Sequence, residues 1–297
     1  QKIRGPYGTH QSYTSTQTGK MYNYSYGVGT NFDDKVYLGG SLNLSTLSYS
    51  ITEDYSENDE NNLNPTFNSL SLHNSMDVTG KGFNLKLGLI GRPIENVRLA
   101  VAYHTPIFWS ISEDYNSSVS GQFVDDTLVY NTHSGGQNYT NDYHLYSPGR
   151  VVAGVAYTIK KTLMLTADYE YCAYPNAVLS NSSYSYNSQN KGIQNNLRKS
   201  NAVKMGAEFK VGPLSLRAGT ALYQSPDNYF KADYGLYKAV YSGGFGIKNQ
   251  NFYMDLAFSS AKTLGYKVLY QVDEKNYEIA DTKSFSNQLL LTVGLKY

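Results

Sequence analysis

The stretch of sequence that decides the fold class is the C-terminal run Leu289-Leu290-Leu291-Thr292-Val293-Gly294-Leu295-Lys296-Tyr297. Alternate side chains of a β-strand point to opposite faces. Counted back from the C-terminal aromatic residue, one face carries Tyr297, Leu295, Val293, Leu291 and Leu289. The opposite face carries Lys296, Gly294, Thr292 and Leu290. The run is therefore a strand with one apolar face, and on its own it fits a half-buried strand of a soluble protein equally well.

The composition narrows the class of protein. Charged residues make up 16% of the 297 residues, against about 25% in typical globular domains. Tyrosine occurs 30 times, and aromatic residues reach 14%. No run approaches the roughly 20 apolar residues that a membrane helix needs. Few charges and many tyrosines are typical of a membrane β-barrel with aromatic girdles, although an adhesive tyrosine-rich soluble β-protein shares part of this composition.

Charge and cysteine content exclude several functions. The net charge of +1 argues against a nucleic-acid partner. The single Cys172 excludes an internal disulfide framework and a cysteine-based metal site. We therefore expect no metal, no cofactor and no nucleic acid. We also expect no enzymatic activity, because no motif places a nucleophile beside a base and an orienting group.

Alternating segments recur along the whole chain and predict eleven β-strands. They cover residues 21–32, 36–51, 82–92, 97–112, 150–160, 162–174, 202–211, 214–224, 236–248, 251–266 and 284–297. The connections alternate between tight turns and long polar stretches. The long stretches are residues 52–81, 113–149, 175–201, 225–235 and 267–283. Short turns at one end and long loops at the other predict an all-β, antiparallel transmembrane barrel of the outer-membrane type.

An odd number of strands is unusual, because the first and last strands of a barrel must pair antiparallel to close it. We expect residues 1–297 to form a single barrel domain that is the C-terminal portion of a longer protein. Residues 1–20 would then belong to an extracellular loop, and an odd number of earlier strands would complete the barrel. The alternative is an even number of strands in this chain, one more or one fewer than the pattern predicts.

The C-terminal strand resembles the closing strand of bacterial outer-membrane barrels, in which it also serves as the assembly signal. The resemblance assigns that role to Leu291, Val293, Leu295 and Tyr297 and implies the barrel-assembly machinery as a partner. It also implies an outer-membrane location, in contact with membrane lipids and lipopolysaccharide.

Several segments resemble hydrophobic-compound transporters of the FadL/TodX type, particularly versions from the Bacteroidetes. They are RLAVAYHTP (98–106), SPGRVVAGVAY (147–157), LTADYEY (165–171), LRAGT (216–220) and GGFGI (243–247). The resemblance implies a fourteen-stranded barrel with an N-terminal hatch. The hatch and three strands would come from an N-terminal fragment of the same protein. It also implies passive uptake of a hydrophobic small molecule such as a long-chain fatty acid.

Charged residues at alternate strand positions are expected to lie on the face away from lipid. They are Lys86, Arg98, Asp168, Glu170, Lys204, Glu208, Arg217 and Asp255, with His104 and Arg150 beside them. These charges could hold a plug or guide a carboxylate headgroup. They could equally form a structural lattice of ion pairs, in which Asp168 and Glu170 meet Lys204 and Glu208 on the next strand.

The candidate ligand-binding residues are Ile107, Phe108 and Trp109, together with His104 and Arg150. Pro106 lacks a backbone N–H, so we expect a kink or a strand end there. The apolar residues that follow could be a lip that collects substrate or, as the favoured interpretation, part of the outer aromatic girdle. Two other functions stay open at this point. One is a non-transporting barrel that acts as a structural or secretion-associated scaffold and binds partner proteins, and the other is a polar porin.

Overall fold

The computed structural model describes residues 9–123, 127–131, 139–228, 236–271 and 277–295. The strands are β1 His10–Phe32, β2 Val36–Asn58, β3 Phe67–Ile94, β4 Val97–His104, β5 Phe108–Phe123, β6 Thr127–Asn131, β7 Tyr139–Tyr146, β8 Arg150–Ile159, β9 Leu163–Ala173, β10 Val178–Ser180, β11 Lys199–Val211, β12 Leu214–Gln224, β13 Leu236–Lys248, β14 Phe252–Gln271 and β15 Tyr277–Leu295. A short 3₁₀ helix spans Tyr174–Asn176, and the helix α1 spans Asn187–Asn196.

All the strands belong to one antiparallel sheet whose order follows the chain. β4 and β5 both pair with β3, and they form one interrupted strand. β7 and β8 form a second interrupted strand beside it. Counting each interrupted strand once and leaving out the short β6 and β10, the sheet has the eleven long strands that the sequence predicts.

The tight turns all lie at one end of the sheet, which we call the turn end. Asp33 and Asp34 have φ of 50° and 52°, and Lys160 and Lys161 have φ of 48° and 57°. Two consecutive left-handed residues are the geometry of a type I′ hairpin turn, whose twist matches that of the flanking strands. The opposite end, which we call the hairpin end, carries the long connections.

The two faces of the sheet differ in polarity as the sequence predicts. On β3, Phe83 and Leu85 are exposed, whereas Asn84 between them is only 5% exposed. On β15, Leu291, Val293 and Leu295 are all exposed on the apolar face; Tyr297 lies outside the described residues. Large exposed apolar side chains form the outer face of every long strand, and polar or small side chains form the inner face. A membrane barrel has this arrangement, with lipid outside.

Three of the long polar stretches, 52–81, 113–149 and 267–283, are largely strand where the structure describes them, which corrects the sequence-based prediction. β2 continues to Asn58, β3 begins at Phe67, and β14 and β15 likewise extend to Gln271 and from Tyr277. His10–Lys20 is also strand, paired with β2, rather than part of a loop. Polar strands without a buried face lack the apolar alternation by which we recognised strands, so the pattern failed where the hairpins leave the membrane.

The stretch 175–201 contains a helix that the sequence did not indicate. α1 has the sequence NSQNKGIQNN, without a capping hydrogen bond or a buried residue. Its position is fixed by Asn190, which accepts a hydrogen bond from the Leu179 N–H at 2.8 Å and donates one to the Leu179 carbonyl at 2.9 Å. Among the described residues, no helix is long and apolar enough to cross a membrane.

The sheet has two open edges among the residues that the structure describes. β1 pairs with β2 alone and β15 with β14 alone. Because they are the first and last of the eleven long antiparallel strands, β1 and β15 run in the same direction. They cannot therefore pair with each other as antiparallel neighbours.

The face assignment predicts opposite effects of arginine at two adjacent positions of β15. Leu291→Arg places a charge on the outer face and should lower the unfolding free energy by about 2–4 kcal/mol. Thr292→Arg places the same charge on the inner face, opposite Asp255, and should cost much less. Urea unfolding of the membrane-inserted protein measures both. Equal losses for the two variants would contradict the assignment.

Candidate functional site

The site is built around two adjacent breaks in the sheet. Thr105–Ile107 separates β4 from β5, and residues 147–149 separate β7 from β8. Pro106 and Pro148 cannot donate to the ladder, as expected of a strand break. Side chains replace the missing bonds: the Leu85 N–H donates to Thr105 Oγ1 at 3.0 Å, and the Ile107 N–H donates to Ser147 Oγ at 2.9 Å.

The breaks shift the alternation of side chains by one residue. His104 is opposite Lys86 on the inner face, and Phe108 is opposite Phe83 on the outer face. Regular alternation would instead place 104 and 108 on the same face. As a result, Phe108 stacks on Phe83 at 5.2 Å in an outer aromatic cluster with Tyr146. Trp109 points inward and is only 7% exposed.

This geometry places the residues of the predicted lip on opposite faces of the sheet. The favoured interpretation, an outer aromatic girdle, holds for Phe108 and is wrong for Trp109. Ile107 packs beside Trp109 on the inner face. The prediction failed for Trp109 because the apolar residues after Pro106 were assigned to the girdle together, without counting their alternation. Counting back from the middle of β5 would have placed Trp109 on the inner face.

Trp109 belongs to an apolar cluster that the sequence did not indicate, here called the inner apolar wall. Its members are Leu47, Tyr49, Met76, Val78, Ile107, Trp109, Ile111, Tyr143 and Leu145. They come from β2, β3, β5, β7 and the first break. The inner face of an outer-membrane barrel is normally polar, so an apolar wall there is a place for an apolar ligand.

Two glycines of β3 make room for the indole. A Cβ atom at Gly82 would lie 2.7 Å from Trp109 Cε3, and a Cβ at Gly80 would lie 3.5 Å from the same atom. The indole ring therefore lies directly on the backbone of β3. Any side chain at position 82 would displace the indole ring, so a glycine there is required for Trp109 to lie in the inner apolar wall.

Polar groups cover the wall toward the hairpin end. Tyr186, the residue before α1, lies with its ring 6.0 Å from that of Tyr143, and its hydroxyl accepts a hydrogen bond from Asn141 Nδ2 at 2.9 Å. Tyr143 donates to Glu113 at 3.2 Å. Burial and the Glu113 carboxylate raise the pKa of Tyr143 to about 12, so its hydroxyl stays protonated. These residues lie beyond the outer aromatic cluster and cover the inner apolar wall on its hairpin-end side.

A row of basic side chains lies below the wall. Lys86, His104 and Arg150 occupy directly opposed positions on β3, β4 and β8. Neighbouring strands are about 4.8 Å apart, so the row spans roughly 10 Å. Lys86 is four residues along β3 from Gly82, or about 13 Å toward the turn end. No ion pair involves Lys86 within the described ranges.

Ion pairs fix the neighbouring charges. Glu170, with its side chain 13% exposed, binds Arg150 at 3.1 Å and Lys204 at 2.7 Å. Further toward the turn end, Glu208 binds Arg217 at 2.6 Å, and Arg217 also binds Asp255. These side chains form a chain of ion pairs across neighbouring strands of the inner face.

Two details of the predicted lattice differ from the structure. Asp168 is opposite Lys204, but the lysine binds Glu170 instead, and the Asp168 carboxylate lies over Gly154. Glu208 pairs with Arg217 on the following strand rather than with β9. Arg98 is exposed on the inner face, beside a cavity of about 270 Å³ at the turn end. It has no ion-pair partner in the part of the chain that the structure describes.

Comparison with solved structures identifies the fold. The chain resembles the Ralstonia pickettii toluene transporter TbuX, with a TM-score of 0.58 and 12% identity over 95% of this chain and 69% of that one. It also resembles a Pseudomonas aeruginosa FadL homologue, with a TM-score of 0.64 and 14% identity over 93% of this chain and 68% of that one. No family model matches the chain, and neither does any curated protein.

The chain therefore has the fold of the FadL-type outer-membrane β-barrels, as the sequence resemblance implies. This fold places the chain in the outer membrane, with the turn end in the periplasm and the hairpin end outside the cell. The inner apolar wall then lies on the inner face of the sheet, toward its extracellular end. The basic row lies below it, within the membrane.

The ion pairs of Glu170 predict a difference between two neighbouring carboxylates. Glu170→Gln leaves Arg150 and Lys204 without their partner and should cost about 1–3 kcal/mol of unfolding free energy, since the carboxylate is buried and the cations are half exposed. Asp168→Asn removes a carboxylate from the same strand and face but no ion pair, and should cost less than about 0.5 kcal/mol. Denaturant titration of both variants is the measurement. A larger loss for Asp168→Asn would contradict the assigned pairing.

Proposed function

We propose that this barrel takes up a hydrophobic small molecule carrying a carboxylate, such as a long-chain fatty acid, by passive transport. The observation that supports the proposal is the inner apolar wall above a lysine that has no acidic partner among the described residues. The wall would receive the hydrocarbon part of the ligand. Lys86, with His104 and Arg150 beside it, would receive the carboxylate.

The spacing of the two parts suits a long amphiphile. The wall extends along β3 from Met76 to Gly82, and Lys86 lies four residues further on. Ten residues of strand are about 33 Å long, somewhat more than an extended eighteen-carbon chain requires. Burial of hydrocarbon at roughly 25 cal/mol per Å² supplies most of the affinity. A charge-assisted hydrogen bond to the ammonium group would set the orientation.

Below the basic row the inner face has small side chains, which leave space for passage. The residues following Lys86, His104 and Arg150 on this face are Gly88, Ala102 and Val152, and Gly154 comes next on β8. Further toward the periplasm, Arg98 borders the cavity at the turn end. A carboxylate leaving Lys86 would meet a second cation there. A general porin has a polar constriction, and an apolar wall would not help polar solutes to pass. The inner apolar wall therefore favours a hydrophobic ligand.

We further propose that an odd number of additional strands joins β1 to β15 in the membrane. The open edges would otherwise leave backbone groups without hydrogen-bond partners in lipid, which is very costly. An N-terminal fragment of the same protein, carrying a hatch, is the partner we propose for this position. Assembly by the barrel-assembly machinery and contact with lipopolysaccharide belong to the same proposal. Native mass spectrometry of the purified protein would show such a fragment, and a closed barrel without one would refute this part.

Trp109 and Phe108 are adjacent aromatic residues on opposite faces, and they predict different transport phenotypes. Trp109→Ala removes the centre of the wall and should weaken fatty-acid binding at least about tenfold, equivalent to about 1.4 kcal/mol. Phe108→Ala removes an outward ring of similar area and should leave binding unchanged. Equilibrium binding and uptake of a radiolabelled fatty acid measure both effects. Equal effects of the two substitutions would contradict the proposed site.

Lys86 predicts selectivity for the charged headgroup. Lys86→Gln should weaken binding of the fatty acid about five- to tenfold, because one charge-assisted hydrogen bond is lost. Binding of the corresponding fatty alcohol should not change. Lys81→Gln, on the outer face of the same strand, is the control and should affect neither ligand. If Lys86→Gln weakens both ligands equally, the lysine does not recognise the carboxylate.

A further inference from the structure

Two buried carboxylates lie close together at the tip of the β2–β3 hairpin. Glu57 and Asp59 are only 7% and 6% exposed. Alternate residues of a strand share a face, so both carboxylates lie on the inner face of the sheet. We call this pair the hairpin carboxylates. Neither forms an ion pair with another residue that the structure describes.

The hydrogen bonds of the hairpin carboxylates come from neutral groups and are incomplete. Glu57 accepts from three side chains: Thr9 at 2.5 Å, Tyr55 at 3.1 Å and Gln11 at 3.3 Å. Asp59 Oδ2 accepts from the Asn64 N–H at 2.5 Å. Asp59 Oδ1 is the only buried side-chain nitrogen or oxygen atom in the described ranges that has no hydrogen-bond partner. Burial of a carboxylate is costly unless it is paired, so these two point to a cation.

A third oxygen donor faces the pair from β3. The Asp59 N–H donates to the Asn68 carbonyl at 2.9 Å, which continues the register of the two strands. Directly opposed residues share a face, so the Asn68 amide lies on the same side as both carboxylates. Among the described residues, no three His, Cys, Asp or Glu side chains come together to hold a metal ion. The donors at this tip are therefore two carboxylates with an amide oxygen and water.

This set of donors suits Ca²⁺ better than other common cations. Ca²⁺ takes six to eight oxygen ligands, including carboxylates, amide oxygens and water, in flexible geometry. Zn²⁺ favours nitrogen and sulfur ligands, and Mg²⁺ demands nearly ideal octahedral geometry and gives up its waters reluctantly. Residues two apart on a strand have Cα atoms about 6.8 Å apart, a separation that Asp and Glu side chains can close onto one ion. Two carboxylates also neutralise a divalent charge.

We propose that Glu57, Asp59 and Asn68 bind one Ca²⁺ ion at the extracellular tip of the β2–β3 hairpin. The ion supplies the partner that Asp59 Oδ1 lacks and joins the two strands where they leave the sheet. Glu57 is eight residues along β2 from Tyr49, or about 27 Å from the inner apolar wall. The proposal therefore does not depend on the ligand that the barrel carries.

Terbium luminescence tests the site in the wild-type protein. Tb³⁺ replaces Ca²⁺ at oxygen sites and emits when a nearby tyrosine is excited, and the Tyr55 hydroxyl lies 3.1 Å from Glu57. The protein, with every polypeptide that folds with it, is placed in phosphatidylcholine nanodiscs. We expect a saturable Tb³⁺ signal that Ca²⁺ displaces at roughly 0.1–1 mM and Mg²⁺ only at concentrations at least about tenfold higher. Absence of a saturable signal, or equal displacement by the two cations, would overturn the proposal.

Two matched variants locate the ion. Glu57→Gln/Asp59→Asn removes both hairpin carboxylates with little change of shape and should weaken binding of Tb³⁺ and Ca²⁺ at least about tenfold. The control Asp54→Asn/Glu60→Gln removes two carboxylates of the same hairpin whose side chains are 58% and 63% exposed, and it should bind both ions as wild type does. Unchanged binding by the first variant, or equal losses in both, would show that the ion binds elsewhere.

Discussion

The backbone hydrogen bonds of the sheet are the constraint on which the rest of this structure depends. In the hydrocarbon layer no water is available to a free N–H or C=O group, so every strand must pair on both edges. This requirement explains the meander of antiparallel neighbours and the tight turns at one end. It also makes the edges of β1 and β15 significant, since these strands run in the same direction and cannot pair with each other as antiparallel neighbours.

The same constraint explains why the two breaks lie side by side. Pro106 and Pro148 each remove a donor from the ladder, and an isolated break would leave a neighbouring strand without partners. Because the two breaks lie side by side, Thr105 and Ser147 can accept hydrogen bonds across the gap from backbone N–H groups that would otherwise lack partners. The resulting one-residue shift turns Trp109 inward while Phe108 remains against lipid. The apolar site inside the barrel is therefore a consequence of the breaks.

Most of the membrane-spanning fold could be predicted from the sequence, because lipid on one side and polar contents on the other impose strict alternation. Leu214–Gln224 and Leu236–Lys248 have the predicted bounds. Outside the membrane both faces of a strand contact water, so β1, β2 and β3 continue as polar strands without alternation of apolar and polar residues. α1 has no apolar face at all, and local side-chain hydrogen bonds such as those of Asn190 fix its position.

The candidate site was predicted only in part for a related reason. His104, Arg150 and Glu170 lie on regular strands, and alternation placed them on the inner face. Trp109 depends on a shift that unbroken alternation cannot show, and Val78 lies in a stretch that the sequence predicted to be a loop. Their cluster also brings together residues of four strands, which a sequence pattern does not show. Pro106 and Pro148 were the features of the sequence that could have indicated the shift. Counting alternation separately on each side of Pro106 and Pro148 would have placed Trp109 correctly.

The central claim is that an apolar ligand binds beside Trp109 on the inner face, and because Trp109 is the only tryptophan, its fluorescence tests this directly. The protein would be placed in bilayers of brominated phospholipid and, separately, titrated in ordinary bilayers with a dibrominated fatty acid. The account predicts little quenching by brominated lipid and saturable quenching by the brominated fatty acid, which Lys86→Gln shifts to higher concentration. Strong quenching by brominated lipid, with no saturable response to the fatty acid, would contradict it.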